Sequence, residues 1–225
     1  ALAVREALVQ TRTRYLNLLR AVLRREGIAI PTGSAATFAR RLAAVELPPA
    51  LQVRVRPLVD LLAPLNAALE AADPPIAVTL AADPAAAQPQ SVPGVGPLTT
   101  ATFLAALDTP TRFASAAHGA AYLGLVPREW SSGERQQRGG VTKTGNRRAR
   151  AMLVQAAWGV WRDRHAASAP LRAWAERLAA RRGKRVAVVA LARRLSGLLF
   201  ALWRDGTSFD GARVGQRPAH PAVAA

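Results

Sequence analysis

The sequence has 225 residues, with 31 Lys and Arg against 14 Asp and Glu, so its formal net charge is +17. It contains no cysteine, which excludes disulfides, thiolate nucleophiles and Cys-ligated zinc. A charge this positive favours nucleic acid as the partner. Because no run of about 18 uncharged apolar residues is present, we expect no membrane association and a cytoplasmic location.

The first 72 residues predict two helices that pair through heptad seams. Apolar and small side chains recur at alternating steps of four and three. The first seam, which ends at a stop signal at Gly27, comprises Val4, Leu8, Thr11, Tyr15, Leu18 and Val22, and the second comprises Leu51, Val55, Leu58, Leu62, Leu65 and Leu69. Such helices pair within one chain or between two copies, and the spacing does not choose between these.

Three further features accompany these seams. Pro57 and Pro64 lie inside the second seam and should kink or split its helix. Between the seams, a short helix is predicted over residues 35–45, with Ser34 as its cap. Since Ala1 already lies in a helical pattern, we expect the sequence to be part of a longer protein.

Residues 73–90 are rich in Ala, Pro and Asp, and their prolines predict a linker without regular structure. The next segment has a Gly-x-Gly turn before a helix that begins at Pro97. This pattern matches the second half of a helix-hairpin-helix unit, in which the amides of Gly94 and Gly96 would bind a backbone phosphate. The alternative is an ordinary turn between two helices.

Between Leu123 and Met152 the composition becomes polar and basic. Ser131-Ser132-Gly133 predicts the tip of a small β-hairpin, and Asn146 suits the N-cap of a helix that begins near Arg147. Guanidinium groups and helix amides together bind phosphate. In addition to the two turn glycines, the residues expected to contact DNA phosphates are Arg128, Arg135, Arg138, Lys143, Asn146, Arg147 and Arg148.

A serine beside such cations is either a nucleophile or an ordinary turn residue. Ser132 and Ser131 are the candidate hydroxyls, and spacing alone favours local hydrogen bonding at a hairpin tip. The histidines, His118, His165 and His220, are scattered, so no Ser-His-Asp triad is indicated.

The last third of the chain predicts two helices joined by a basic turn. On the first of these, Trp158 and Trp161 have the spacing of core residues, with base stacking as the alternative. The turn at residues 181–185 is followed by a helix that ends at Asp205-Gly206. Residues 206–225 are predicted to be a disordered tail.

Five short motifs occur in one order and at close spacing. They are the turn from Val92 to Gly96, AYLGLVP at 121–127, Ser131-Ser132-Gly133, TKTGNR at 142–147, and Ala157-Trp158. In this order they closely resemble the C-terminal half of the insertion-sequence one-ten transposases, which are recombinases guided by a bridge RNA. The similarity covers about residues 91–203, and residues 1–69 resemble the connecting coiled coil of that family, including the TRTR run at 11–14.

The resemblance implies DNA strand transfer through a composite active site. In that family an RNase H-like half holds Mg²⁺ with carboxylates, and the other half supplies a serine that becomes joined to the DNA phosphate. The serine of the family's Ser-Gly pair corresponds to Ser132, with Ser131 as the fallback. The carboxylate half has no counterpart in this sequence, so we expect no metal bound by this chain, Mg²⁺ only with the other half, and no activity in isolation.

We therefore expect a mainly α protein with coiled-coil, dimerising helices at 1–72, a linker at 73–90, a compact C-terminal transposase domain at 91–205 and a tail at 206–225. The expected partners are DNA, a guide RNA and a second copy of the chain. Two other interpretations remain: a non-enzymatic helix-hairpin-helix module that binds nucleic acid, and a dimerisation scaffold whose charge keeps it soluble. Affinity for nucleic acid that falls steeply with salt would exclude only the scaffold.

Overall fold

The computed structural model describes residues 1–130, 132 and 137–214. The described residues are mainly helical and include a small antiparallel sheet of two strands, as the sequence predicts. The chain divides into two units, Ala1–Thr79 and Leu80–Ala225. The point of division falls inside the predicted linker.

The helices that begin in the first unit are α1 (Leu2–Arg25), α2 (Phe38–Ala43), α3 (Pro49–Asp60) and α4 (Leu62–Ala81). The second unit contains α5 (Ala87–Gln90), α6 (Pro97–Leu107), α7 (Ala116–Tyr122), β1 (Pro127–Glu129), β2 (Arg138–Val141), α8 (Arg147–Arg162), α9 (Ala169–Arg182) and α10 (Lys184–Asp205). Short 3-10 turns occur at Pro84–Ala86, Pro110–Arg112, Ala166–Ser168 and Gly211–Arg213.

In the first unit, α1 packs antiparallel to α3 and α4 of the same chain. Arg5 forms an ion pair with Asp73, and Nη1 of Arg12 donates to Oδ1 of Asn66 at 2.9 Å. The earlier residue of α1 therefore contacts the later residue of α4, and the later residue of α1 contacts the earlier one. This order shows that the two helices run in opposite directions. Of the two pairings that the heptad spacing allows, the structure shows the one within a single chain.

The buried face of α1 is not the predicted seam. Leu16, Leu19 and Leu23 are buried, whereas Val4 and Leu18 of the predicted seam are 63% and 50% exposed. The reason is that α1 shares its core with α2 as well as with α3. The position of α2 decides which face of α1 is covered, and the spacing within α1 carries no information about it.

Most of the second predicted seam is buried. Leu51, Val55, Leu62 and Leu69 are buried along α3 and α4. The predicted split also occurs, because α3 ends at Asp60 and α4 begins at Leu62. Pro64 is the third residue of α4, in the first turn, where a helix needs no N–H donor.

Replacing Leu19 by alanine is expected to lower the free energy of unfolding by about 2–5 kcal/mol, because its side chain is fully buried. Leu18→Ala is the matched control, since it makes the same change at the adjacent, half-exposed position, and it should cost less than about 1 kcal/mol. Urea unfolding followed by circular dichroism measures both. Equal costs, or a larger cost for Leu18→Ala, would contradict the assignment of the buried face.

The predicted linker contains more regular structure than expected. Helix α4 continues through Pro74 and Pro75 to Ala81, and α5 follows soon after. Each proline removes one backbone donor from the helix, but Leu69 and Ile76 remain buried on one face of α4. Apolar burial therefore outweighs the lost hydrogen bonds in this segment.

The short helix after Ser34 is also smaller than predicted. It spans only Phe38–Ala43, and Oγ of Ser34 accepts a hydrogen bond from the N–H of Thr37 at 3.3 Å in the turn before it. Ser34 therefore caps a turn that leads into the helix. Phe38 and Leu42 are the buried residues of this helix.

Helix α10 is the centre of the second unit and contacts α5, α7, α8 and α9. Val188, Leu191 and Leu195, on one face of this helix, are almost fully buried. Among the described helices, only α10 is long and apolar enough to cross a membrane, and 50% of that segment is buried inside the protein. Its apolar residues form the core on which the candidate site is built.

The beginning of the predicted tail is structured. The N–H of Phe209 donates to Oγ of Ser91 at 2.7 Å, and Phe209 and Val214 pack against the core of the second unit. The prediction of disorder is therefore wrong for residues 206–214, because two apolar side chains in a polar segment were enough to hold it against the core. Residues 215–225 lie outside the described residues.

Candidate nucleic-acid interface

The predicted β-hairpin is confirmed in the centre of the basic stretch. Strands β1 and β2 pair antiparallel, with Pro127 opposite Val141. The pairing continues beyond β1, because the N–H of Trp130 donates to the carbonyl of Gln137 at 2.9 Å. The pairing therefore extends from β1 and β2 as far as Trp130 and Gln137, next to the segment that connects the strands.

Ser132, the candidate nucleophile, lies in this connection and is exposed. It follows β1 by three residues. Two other predicted residues, Ser131 and Arg135, lie outside the described residues. The accessibility of Ser132 is what a reaction with a macromolecular substrate requires.

Two glycines fix the base of the hairpin. Gly124 has φ +69°, and a Cβ atom there would lie 1.8 Å from the carbonyl oxygen of Thr144. Gly145 has φ +94°, and a Cβ atom there would lie 1.9 Å from the carbonyl oxygen of Tyr122. Two backbone segments thus touch directly, and only glycine allows both the contact and the positive φ.

Arg150, which the sequence analysis did not single out, connects the same two segments. Its Nη1 donates to the carbonyl of Leu123 at 2.9 Å, and the carbonyl of Thr144 lies 3.5 Å away. Arg150 is half-buried, so this charge serves the hairpin base instead of a ligand. Its partners are carbonyl groups 27 and 6 residues away, so no local pattern identifies them.

The N-terminus of α8 begins immediately after the hairpin. Asn146 caps it as predicted, since its Oδ1 accepts the N–H of Ala149 at 3.0 Å. Lys143 and Arg147, on either side of the cap, are exposed. The amide end of the helix and two cations are therefore within a few residues of each other, which is an arrangement that attracts anions.

Three other predicted cations lie in the hairpin or in the first turn of α8. Arg128 is exposed on β1, and its Nη2 donates to the carbonyl of Thr142 at 3.4 Å. Arg148 is half-buried in the first turn of α8 and takes part in an interaction of its own. Arg138 lies in β2. The hairpin and the start of α8 thus bring together most of the predicted phosphate-binding residues that are described.

The Gly-x-Gly turn lies elsewhere in the unit. Gly94 has φ +79°, and a Cβ atom there would lie 2.9 Å from Cγ2 of Val160 and 3.1 Å from the carbonyl oxygen of Ala156 on α8. Gly96 is exposed and is the N-cap residue of α6. The close packing against α8 explains why residue 94 is a glycine. Phosphate binding by this turn remains a prediction.

The turn and the hairpin are separated along α8. Ala156 and Val160 follow Asn146 by 10 and 14 residues, which corresponds to about 15–21 Å of helix. The hairpin cations and the Gly94 turn therefore cannot form a single phosphate site. They offer contacts at two positions along one rigid helix.

The two tryptophans of α8 are half-buried and pack against the core, as expected. The ammonium group of Lys184 lies 5.3 Å from the ring centroid of Trp158 and 5.2 Å from that of Trp161. A lysine therefore already occupies a cation–π position on both rings. This contact disfavours the alternative in which the tryptophans stack on bases.

The comparisons with known proteins agree with the motif order. Residues 88–171 match the family model described as "Transposase IS116/IS110/IS902 family". The chain is 30% identical over 211 residues to the transposase for insertion sequence element IS1328 of Yersinia enterocolitica, covering 92% of this chain and 63% of that protein. It is 32% identical over 212 residues to a probable family 20 transposase of Pseudomonas aeruginosa, with the same two coverages of 92% and 63%.

A third relative is the transposase for insertion sequence element IS1111A of Coxiella burnetii, which is 30% identical over 207 residues. That alignment covers 89% of this chain and 57% of the relative. The chain thus spans less than two thirds of the length of each of these three proteins.

Proposed function

Because residues 88–171 match the IS116/IS110/IS902 transposase family model and the relatives reported above are transposases, we propose that the chain is a member of this family and is the DNA-binding portion that supplies the serine nucleophile for cutting and rejoining DNA. The observation that carries the proposal is the position of Ser132. It is exposed on a hairpin whose base is fixed by Gly124, Gly145 and Arg150, beside the basic start of α8.

The proposed reaction is phosphoryl transfer to Ser132. Its Oγ loses its proton as it attacks the phosphorus of a phosphodiester, a P–Oγ bond forms, the bond from phosphorus to the leaving DNA oxygen breaks, and that oxygen takes up a proton. In the second step the hydroxyl of another DNA strand loses its proton and attacks the same phosphorus, the P–Oγ bond breaks, and the serine oxygen regains a proton. The phosphodiester energy is conserved in the covalent intermediate, so rejoining needs no nucleotide cofactor.

The cations around the hairpin suit this chemistry. Negative charge builds up on the phosphoryl oxygens in the transition state, and fixed cations stabilise it. Arg128 and Lys143 are exposed at the hairpin, and Arg147 begins α8. Arginine also binds phosphate oxygens in pairs, which fixes the orientation of the phosphate.

Among the described residues, no three His, Asp or Glu side chains are grouped together. We place the Mg²⁺-binding carboxylates in an RNase H-like half of the complete protein. A guide RNA and a second copy of the chain, contacted through the N-terminal helices, complete the proposed assembly.

The test uses the complete protein that contains this sequence, with the DNA ends of its element, its guide RNA and Mg²⁺. We expect protein that remains attached to DNA after denaturation, and mass spectrometry should locate the phosphate on the peptide that contains Ser132. Tight, salt-sensitive DNA binding without any attached protein would instead support the non-enzymatic binding module. That outcome would leave Ser132 as an ordinary hairpin residue.

Asn146 provides a test of the phosphate site that does not depend on catalysis. Aspartate caps helices as well as asparagine and adds a negative charge. Asn146→Asp should therefore keep the free energy of unfolding within about 0.5 kcal/mol and yet weaken DNA binding by about fivefold or more, because a like charge near a phosphate costs about 1 kcal/mol or more. Fluorescence anisotropy with a DNA duplex measures the affinity.

The matched control is Asn146→Ala, which removes the cap without adding charge. It should lower the free energy of unfolding by about 0.5–2 kcal/mol and weaken binding less than Asn146→Asp does. If the aspartate variant binds DNA as tightly as the unmodified chain, no phosphate lies near the start of α8.

A further inference from the structure

A second basic surface lies at the junction of α8, α9 and α10. It comprises five exposed cations, which we call the basic corner: Arg162, Arg181, Arg182, Lys184 and Arg185. The last turn of α9 supplies two of them and the first turn of α10 supplies two more. Gly183, with φ +82°, forms the sharp turn that brings the two pairs together.

Lys184 links the corner to α8. Its ammonium group lies over the rings of Trp158 and Trp161, at 5.3 and 5.2 Å from their centroids. Arg162 follows Trp161 directly, and its Nε donates to the carbonyl of Trp158 at 3.1 Å. All three helices therefore contribute charge to one surface, and Lys184 is held in position by two indole rings.

No acidic side chain neutralises this surface within the described part of the chain. The nearest acids in sequence are engaged elsewhere. Asp163 accepts the N–H of His165 at 3.1 Å, a bond that lowers the pKa of its carboxyl group, and Glu176 pairs with Arg172 at 3.8 Å. None of the five cations forms an ion pair with the acids that the structure describes.

The arrangement is electrostatically unfavourable without a bound anion. Five like charges lie together, and the first turn of α10 carries two of them and no acidic residue, although the amide end of a helix disfavours cations. Two other exposed arginines of this unit are neutralised locally, Arg204 by Asp205 and Arg213 by Asp210. A polyanion would relieve the repulsion at the corner.

The corner is far from the hairpin. Trp158 and Trp161 follow Asn146 by 12 and 15 residues, or about 18–22 Å along α8. We propose that the basic corner binds phosphates of a duplex nucleic-acid backbone as a second contact, separate from the serine hairpin. This inference shares one assumption with the proposed function, which is that the second unit binds nucleic acid.

Such a contact positions the duplex and does not read its bases. Arginine side chains on the surface bind phosphate oxygens in pairs, and phosphate contacts carry no sequence information. The contact is therefore expected to be equally strong on unrelated sequences. DNA and RNA duplexes share the phosphodiester chemistry, so the experiment must distinguish them.

The experiment measures binding of the 225-residue chain to DNA and RNA duplexes of about 20 base pairs, from about 50 to 200 mM salt. The variant R181Q/R182Q removes two cations that have no acidic partner. The control, R204Q/R213Q, removes the same number of arginines, but both of these are paired with aspartates. All four side chains are exposed, so both variants should melt like the unmodified chain.

We expect the slope of log affinity against log salt to become shallower by about 1.8 in R181Q/R182Q, which is about 0.9 for each lost phosphate contact, and by less than about 0.5 in the control. The duplex that shows this loss, DNA or RNA, identifies the ligand. Equal effects of the two variants, or no effect of R181Q/R182Q on either duplex, would overturn the proposal. If the unmodified chain binds neither duplex, the proposed function fails as well, so the two failures are distinguishable.

Discussion

Replacing Ser132 by alanine is expected to abolish covalent attachment to DNA, with a loss on the order of 10³-fold or more, because no other oxygen takes the place of an attacking nucleophile. The affinity for DNA should stay within about twofold, since the change removes a single exposed hydroxyl group. We therefore expect this variant to bind DNA normally but not to become covalently attached to it. Anisotropy measures the first, and denaturing electrophoresis with labelled DNA measures the second.

Two companion variants make the result specific. Ser131→Ala should keep the attachment, because the neighbouring hydroxyl group is the expected nucleophile. Ser132→Cys should keep DNA binding and test whether a larger, softer nucleophile can replace the hydroxyl. Loss of attachment in Ser131→Ala but not in Ser132→Ala would move the nucleophile to Ser131. Undiminished attachment in both alanine variants would exclude a serine mechanism at this hairpin.

The second large effect is expected at the base of the hairpin. Gly145→Ala should lower the free energy of unfolding by more than about 3 kcal/mol, or detach the hairpin from the unit. A Cβ atom there would lie 1.9 Å from the carbonyl oxygen of Tyr122, and the positive φ adds about 1 kcal/mol of strain. Urea unfolding measures the cost, and amide exchange of Thr142 and Lys143 reports on the hairpin itself.

Gly206 offers a matched control for this prediction. It has a positive φ of +64° at the end of α10, but a Cβ atom there would meet nothing within 4 Å. Gly206→Ala should therefore cost only the conformational strain, about 1 kcal/mol. The difference between the two variants isolates the close contact at the hairpin base. If both cost the same, the two backbone segments are not in contact.

The elements that the sequence predicted well are those with short-range signals. Asn146 caps α8, and Gly206 ends α10 in the left-handed conformation. Each of these depends on a side chain or glycine within a few residues of the helix end. The hairpin follows the same rule, because its polar turn lies between two short extended segments.

The elements that were predicted poorly depend on distant partners. The buried face of α1 is set by its packing with α2, and the order of residues 206–214 is set by Phe209 and Val214 against a core assembled from other helices. Arg150 is the clearest case at the site, since it binds the carbonyl of Leu123 across 27 residues. A single sequence does not reveal which distant residues will become neighbours.

Helix α8 also sets the distance between the two proposed nucleic-acid contacts of this unit. The basic start of the helix and the residues that contact Lys184 are about 18–22 Å apart along its axis. At about 3.4 Å per base pair, this distance equals about five to seven base pairs, or roughly half a turn of the double helix. A duplex that lies along α8 and contacts both the start of the helix and the basic corner must therefore be at least that long, whatever its sequence.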